Sequence, residues 1–221
     1  MLNLFYAPTT NGLKITIMLC ELGADYNLIP INIRKKDQFL PAFLEISPNN
    51  KIPAIKDGEL TLFESGAILL YLAEKYGKLI GKNEIEKNHI IQWLFWQVGG
   101  FGPILGQAMY YNGTYDKNVN VPEAKERFLT ETKRLYSVLD KQLSANEYVA
   151  GKNYSIADIA NYTWALLWKF QGMDIKDYPH IQQWMEKIAA RPAVQQAYGD
   201  ERKNFDYEHS FTNEELIARI Q

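Results

Sequence analysis

Four short segments place polar side chains where they could either build the fold or hold a ligand. Thr9, Thr10 and Asn11 follow the apolar run Leu4-Phe5-Tyr6 and precede a stretch with helical spacing, Leu13 to Leu22. Glu64-Ser65 stands before a second such stretch. The N–H groups at a helix start have no partner inside the helix and carry partial positive charge, so they attract carboxylates. A hydroxyl at that position either caps the helix, worth about 1 kcal/mol, or takes part in binding the anion. The other two segments, Ser155 with Asp158 and Thr212 with Glu215, have capping-box spacing, the first with Asp in place of Glu or Gln. That spacing makes Asp158 a fold determinant rather than an acid catalyst.

Other reactive side chains are few. The one cysteine, Cys20, rules out an internal disulfide framework, a Cys-rich zinc site and a CxxC redox pair, and points to a reducing cytoplasmic location. It lies toward the end of the first predicted helix, on the order of 13 Å from Asn11 at 1.5 Å per residue. Its apolar neighbours predict a buried, inert thiol. His89, His180 and His209 are too scattered for a metal site, so no metal is expected. A net charge of −2 from 24 basic and 26 acidic residues gives no reason to expect a nucleic-acid partner. The N-terminus lacks the pattern of a secretory signal, and no apolar run approaches the ~18 residues that span a bilayer, so no membrane partner is expected. With 47% hydrophobic residues the chain can build a core without staples.

The elements that must position these residues change character along the chain. Asn3 to Tyr6 and Asn27 to Ile33 read as strands. Ala54 to Lys56 and Leu60 to Phe63 read as a hairpin turning at Asp57-Gly58. Leu13 to Leu22, Phe39 to Ile46 and Ser65 to Lys75 read as helices. The order builds a mixed four-stranded sheet with helices packed on it. Beyond Tyr76-Gly77 and Gly81 the strand pattern stops. Glu84 to Asn112, Pro122 to Ser144, Ser155 to Gln171 and Pro179 to Ala190 read as helices, the first kinked by the proline of Gly99-Gly100-Phe101-Gly102-Pro103. The expected fold class is α/β plus all-α: residues 1–78 as an α/β domain, 85–201 as a helical domain, and 202–221 as a tail with a short helix.

Longer strings carry a family resemblance. Lys51-Ile-Pro-Ala-Ile55 and Phe63-Glu-Ser-Gly-Ala-Ile68 with Tyr71-Leu72 resemble the glutathione-binding core of the glutathione transferases, whose N-terminal domain is thioredoxin-like. Tyr154-Ser-Ile-Ala-Asp158 is similar to the capping motif of their helical bundle domain. Ala7-Pro-Thr-Thr-Asn-Gly12, Ile46-Ser-Pro-Asn-Asn-Lys-Ile-Pro-Ala54 and Gln92-Trp-Leu-Phe-Trp-Gln-Val-Gly-Gly100 resemble the bacterial nu class in particular. The resemblance spans roughly residues 1 to 200.

The resemblance implies glutathione as co-substrate and a role for each segment. A cis Ile52-Pro53 bond would turn the Ile52 peptide groups outward, where the cysteinyl unit of glutathione docks as a short added strand. Ser65 would take the γ-glutamyl carboxylate on its hydroxyl and N–H, and Glu64 the ammonium. Gln38 and Lys51 are candidates for the glycyl carboxylate, although Lys51 reads equally well as a surface lysine. Thr9 and Asn11 would face the thiol, where other classes place Tyr, Ser or Cys. The nu class often has proline at the position of Thr10, so this loop is less rigid than that pattern. Lowering a thiol pKa from about 8.5 to about 6.5 requires about 2.7 kcal/mol. One hydrogen bond to a charged group supplies about 1.5–3 kcal/mol and a helix start about 0.3–1 kcal/mol, so no general base is needed.

The activity implied is glutathione-dependent disulfide reduction, with peroxidase chemistry beside it. Both thiols would come from glutathione, since Cys20 is remote from the site. The alternatives are conjugation of glutathione to small electrophiles and, from another class, a non-catalytic binding or regulatory protein. The intact set Thr9, Asn11, Ile52, Glu64 and Ser65 disfavours the last. A homodimer is implied. Arg127, in Pro122-Glu-Ala-Lys-Glu-Arg127-Phe, would reach glutathione across that interface or would merely pair with Glu131 one helical turn on. Tyr110, Tyr111, Trp164 and Trp168 would line a pocket for the second substrate or belong to the core.

Overall fold

The computed structural model describes residues 1–203 and 205–220. The chain forms two compact units, Met1–Gly77 together with Pro192–Gln221, and Lys78–Arg191. Among the described residues no helix is long and apolar enough to cross a membrane.

The first unit runs β1 (Leu2–Tyr6), α1 (Thr10–Leu22), β2 (Tyr26–Pro30), α2 (Pro41–Ile46), β3 (Ala54–Asp57), β4 (Leu60–Phe63) and α3 (Ser65–Tyr76). The sheet order is β2-β1-β3-β4. β1 pairs with β2 in parallel, and β1–β3 and β3–β4 are antiparallel. This is the mixed four-stranded sheet expected from the pattern of short apolar runs. A parallel pair needs a crossover, which α1 provides. Nearly all of α1 from Gly12 to Leu19 is buried. It ends at Gly23, whose left-handed backbone (φ 65°) lets its N–H reach the Leu19 and Cys20 carbonyls. Phe5 lies opposite Ala54, and Ala54 opposite Phe63. The end of β1, the start of β3 and the end of β4 are therefore level at one edge of the sheet.

The C-terminal residues differ from expectation. Helix α9 (Pro192–Lys203) packs on α1, and α10 (Asn213–Ile220) packs on α2. Residues 192–201, which continue the helical pattern of the chain before them, thus cluster with the α/β unit. Two buried polar side chains tie the segment down. Asn32 donates from its amide to the carbonyls of Tyr207 (2.6 Å) and His209 (2.7 Å) and accepts from the N–H groups of Arg34 and Lys35. The Asp37 carboxylate accepts from the N–H groups of Asn32 (3.0 Å) and Phe211 (3.4 Å) and from the Ser210 hydroxyl. Phe211 and Leu216 complete an apolar cluster with Phe5, Ile29, Ile31 and Phe43. Asn213 Oδ1 accepts from the Ala42 N–H at the start of α2 (2.9 Å). Thr212 and Glu215 form the expected capping box, each accepting from the other's N–H (3.2 and 2.8 Å).

The second unit contains α4 (Glu84–Trp96), α5 (Gly102–Tyr111), α6 (Pro122–Ala145), α7 (Ile156–Ala165) and α8 (Pro179–Ala189). Where a proline kink was expected, Gln97–Phe101 form a π-helical turn, and Pro103 falls in the first turn of α5. The widened turn, closed by the Gly102 N–H on the Gln97 carbonyl, accommodates a ring that would clash with a regular turn. α7 stops at Ala165 rather than running on to Gln171, and the chain continues in turns to Gly172. Asp158 is fully buried. It accepts from the Val149 N–H (2.8 Å), the Ser155 N–H (2.9 Å) and hydroxyl (3.0 Å), and Trp184 Nε1 (3.0 Å). Burial pushes its carboxyl up to about 6, against the pull of these donors.

The Asn32 contacts make the C-terminal segment part of the first unit's core. Asn32→Ala orphans two backbone carbonyls and should cost about 2 kcal/mol or more. A lower urea midpoint and new proteolytic cleavage between residues 205 and 212 are expected. Wild-type values for both would show that the segment is dispensable.

Candidate active site

Three segments meet at the level edge of the sheet, each one to three residues beyond a strand end. Thr9 follows β1 and caps α1. Its backbone is extended, and its Oγ1 accepts from the Gly12 N–H (3.1 Å). A hydroxyl that accepts in this way still has its own proton to donate. Thr9 and Asn11 are half-buried. Gly12 is required by close approach, since a Cβ there would lie 2.2 Å from the Ala7 carbonyl oxygen. Its absence lets the start of α1 sit against the end of β1.

Pro53 precedes β3, and the Ile52–Pro53 peptide is cis. Pro53 is buried and Ile52 half-buried. The Ser47 hydroxyl donates to the Lys51 carbonyl (2.9 Å), bracing the approach to Ile52.

Glu64 and Ser65 follow β4 at the start of α3. Glu64 is exposed and has φ 70°, ψ 114°, a backbone conformation that an L-residue with a side chain adopts at a cost of roughly 1–3 kcal/mol. Ser65 is buried, with its Oγ accepting from Lys14 Nζ (3.1 Å). Lys14 itself is only 1% exposed. Burial pushes its ammonium down to about 7, and the negative charge of Glu64 acts in the opposite direction. Sequence reasoning missed Lys14. The available signal was a lone charge in the otherwise uncharged stretch from Thr10 to Cys20, because a lysine is almost never fully buried unless it is paired.

The remaining candidates lie apart from these short contacts. Lys51 is exposed. Gln38, in the 3₁₀ turn Asp37–Phe39, has a long contact from its amide to the Ile33 carbonyl (3.4 Å). Cys20 is partly exposed, which corrects the expectation of a buried thiol: residues 20 and 21 lie on the outward side of α1's last turn.

In the second unit, Trp164 lies along the face of α5 that carries Gly102 and Gly106, and the next turn on that face brings up Tyr110, 44% exposed. Tyr111 stacks on Phe128 instead, with ring centroids 5.4 Å apart. Trp168 is half-buried, with Lys169 over its ring. Arg127 is exposed, and the Glu131 carboxylate forms its bidentate pair with Arg134 (2.7 and 2.8 Å) rather than with Arg127.

A thioredoxin-like sheet with two helix starts and a cis-proline at one edge, followed by an all-helical unit, defines the class of protein. The N-terminal domain model of glutathione S-transferase matches residues 1–74, and the C-terminal domain model matches residues 104–192. The chain belongs to the glutathione S-transferase family. It is 50% identical over 216 residues to the disulfide-bond oxidoreductase YfcG of Escherichia coli, covering 92% of this chain and 100% of that one. It is 40% identical over 210 residues to the disulfide-bond oxidoreductase YghU of the same organism, covering 87% and 72%. Among solved structures, a glutathione transferase family member from Pseudomonas fluorescens with two glutathione bound superposes with a TM-score of 0.83 at 40% identity, covering 89% of this chain and 91% of that one. A glutathione transferase from Pseudomonas putida with one glutathione disulfide bound per subunit gives 0.85 at 37%, covering 90% and 91%.

The strain at Glu64 is testable apart from any ligand. Glu64→Gly should raise unfolding stability by about 1 kcal/mol, because glycine adopts positive φ without a Cβ clash. Glu64→Ala keeps the clash and should gain nothing. Equal urea midpoints for the two variants would show that the conformation is not strained.

Proposed function

We propose that the protein is a glutathione-dependent disulfide oxidoreductase that draws both thiols from glutathione. The observation that carries this is the strand register, which brings Thr9, Ile52-Pro53 and Ser65 to one sheet edge. Adjacent strands lie about 4.8 Å apart, so β4 and β1, with β3 between them, are separated by about 10 Å. An extended tripeptide spans a similar distance, at about 3.3–3.6 Å per residue. Glutathione can therefore place its γ-glutamyl carboxylate at Ser65 and the start of α3, its cysteinyl backbone on Ile52, and its sulfur by Thr9 and Asn11. Glu64 takes the γ-glutamyl ammonium, and Gln38 and Lys51 serve the glycyl carboxylate.

The chemistry then follows from the side chains. The Thr9 proton and the start of α1 stabilise the thiolate over the thiol. That thiolate attacks one sulfur of the substrate disulfide, forming a mixed disulfide and releasing the other sulfur as a thiolate, which takes up a proton. A second glutathione attacks the glutathione sulfur of the mixed disulfide, and oxidised glutathione leaves with a second reduced thiol. The relatives' disulfide-bond oxidoreductase activity supports this reading. So do the solved relatives that hold two glutathiones or one glutathione disulfide.

We extend the proposal to a cytoplasmic homodimer, in keeping with the single cysteine. In this reading Arg127, whose neighbouring carboxylate Glu131 pairs with Arg134, serves the glutathione of the partner. The aromatic face of α5 and α7 around Tyr110 and Trp164, with Tyr111 and Trp168 near it in sequence, serves the second substrate. Its exposed aromatic surface also supports conjugation of apolar electrophiles as a side activity.

Cys20→Ser should retain glutathione-dependent disulfide reduction. Thr9→Ala should lower kcat by about 10-fold or more with a smaller change in KM, because its hydroxyl acts on the charged sulfur, and Asn11→Ala should add to the loss. A folded Cys20→Ser variant without activity would make Cys20 the redox centre and overturn the scheme.

A further inference from the structure

Lys14 has no part in the chemistry described so far, yet it is a lysine buried in the core of the first unit. Burying an ammonium is costly unless its charge is used or compensated, and a methionine of similar volume would fill the same space. At the sheet edge it donates to Ser65 Oγ, at 3.1 Å. An ammonium has three hydrogens and no lone pair, so in this pair the serine oxygen must accept. The Ser65 proton is then left to point away from Lys14.

We propose that Lys14 is a positioning residue for substrate: through Ser65 it fixes a hydroxyl donor and a positive charge beneath the start of α3, and thereby selects a carboxylate at that position. The inference rests on the reading of Ser65 as the γ-glutamyl carboxylate site. Donors of the same sense then converge on one anion. They are the Ser65 hydroxyl, turned outward by Lys14, and the N–H groups of the first turn of α3, reinforced by the helix charge. Lys14 adds a unit charge from behind, in a medium of low dielectric where it acts more strongly than a surface lysine would. Among the described residues, the negative charge of Glu64 favours the charged form of Lys14. An incoming carboxylate adds a second negative charge on the far side of Ser65, so ligand and lysine hold each other in the charged state.

The test compares glutathione with its analogue lacking the γ-glutamyl α-carboxylate, by titration calorimetry on wild type, Lys14→Met, Lys14→Gln and Ser65→Ala. Wild type should prefer glutathione strongly. Lys14→Met should weaken glutathione by about 10- to 100-fold, the loss expected of a charge-assisted hydrogen bond, and leave the analogue unchanged. Thermal stability should be equal or higher, as is common when a buried charge gives way to a packed apolar side chain. Lys14→Gln, which keeps a donor on a side chain one atom shorter but removes the charge, should fall between the two and serves if the methionine variant does not fold. Equal weakening of both ligands would make Lys14 a packing residue and overturn the inference. Unchanged preference in both lysine variants, with the preference lost in Ser65→Ala, would overturn it while sparing the reading of Ser65. Equal binding of both ligands by wild type would overturn that reading itself.

Discussion

The site of the first unit depends on one constraint, the register of the three strands β1, β3 and β4. Phe5, Ala54 and Phe63 are level, so the residues that follow or precede them by one to three positions converge at a single edge. A slip of one residue in either pairing would turn each side chain of that strand to the opposite face. It would also move Ala54 and Ile55, which are buried on opposite faces of the sheet, out of the positions where they now pack. The packing of β1 and of the start of β3 thus fixes the register, and the register places two helix starts and a cis-proline together. Gly12 completes the placement, because any side chain there would push α1 off the end of β1.

Around that edge the molecule carries costs that a merely stable fold would avoid. Glu64 holds a positive φ without being glycine, and Lys14 is buried as a charged residue. Each lowers stability by an amount comparable to one or two good hydrogen bonds. The same unit gains elsewhere. Asn32 and Asp37 hold the segment around residues 207–211, and Phe211 and Leu216 extend the apolar cluster beneath β1 and β2. In the second unit Asp158 gathers four donors from three separate segments and closes the entry to α7. Such local over-determination is what allows strained or desolvated groups to persist at a working site.

Much of this was legible in the sequence where a local rule governs. The short apolar strand runs, the Asp57-Gly58 turn, both capping boxes and the helix start at Ser65 follow from patterns a few residues long, while α1 begins at Thr10, three residues before the expected Leu13. The motif strings around Ile52 and Glu64 pointed to the family. What escaped depends on tertiary partners. Helix α9 continues the helical pattern before it, and only packing on α1 assigns it to the first unit. The π turn at Gln97–Phe101 and the proline kink expected there share one composition, and the wider hydrogen bond of Gly102 decides between them. Lys14 escaped notice: the uncharged residues around it hint at burial, but Ser65, to which it donates, lies 51 residues away. Cys20 looked buried because apolar residues flank it, but its position on the last turn of α1 leaves it partly exposed.

The central claim is that the edge formed by Thr9, Asn11 and the start of α1 converts bound glutathione to its thiolate. The direct measurement is a pH titration of the ultraviolet thiolate absorbance of glutathione held at saturation by the Cys20→Ser protein, which removes the only protein thiol. The account predicts an apparent pKa near 6.5, about two units below the ordinary thiol value. A bound thiol that titrates at about 8.5 or above would contradict it and remove the basis for the proposed chemistry.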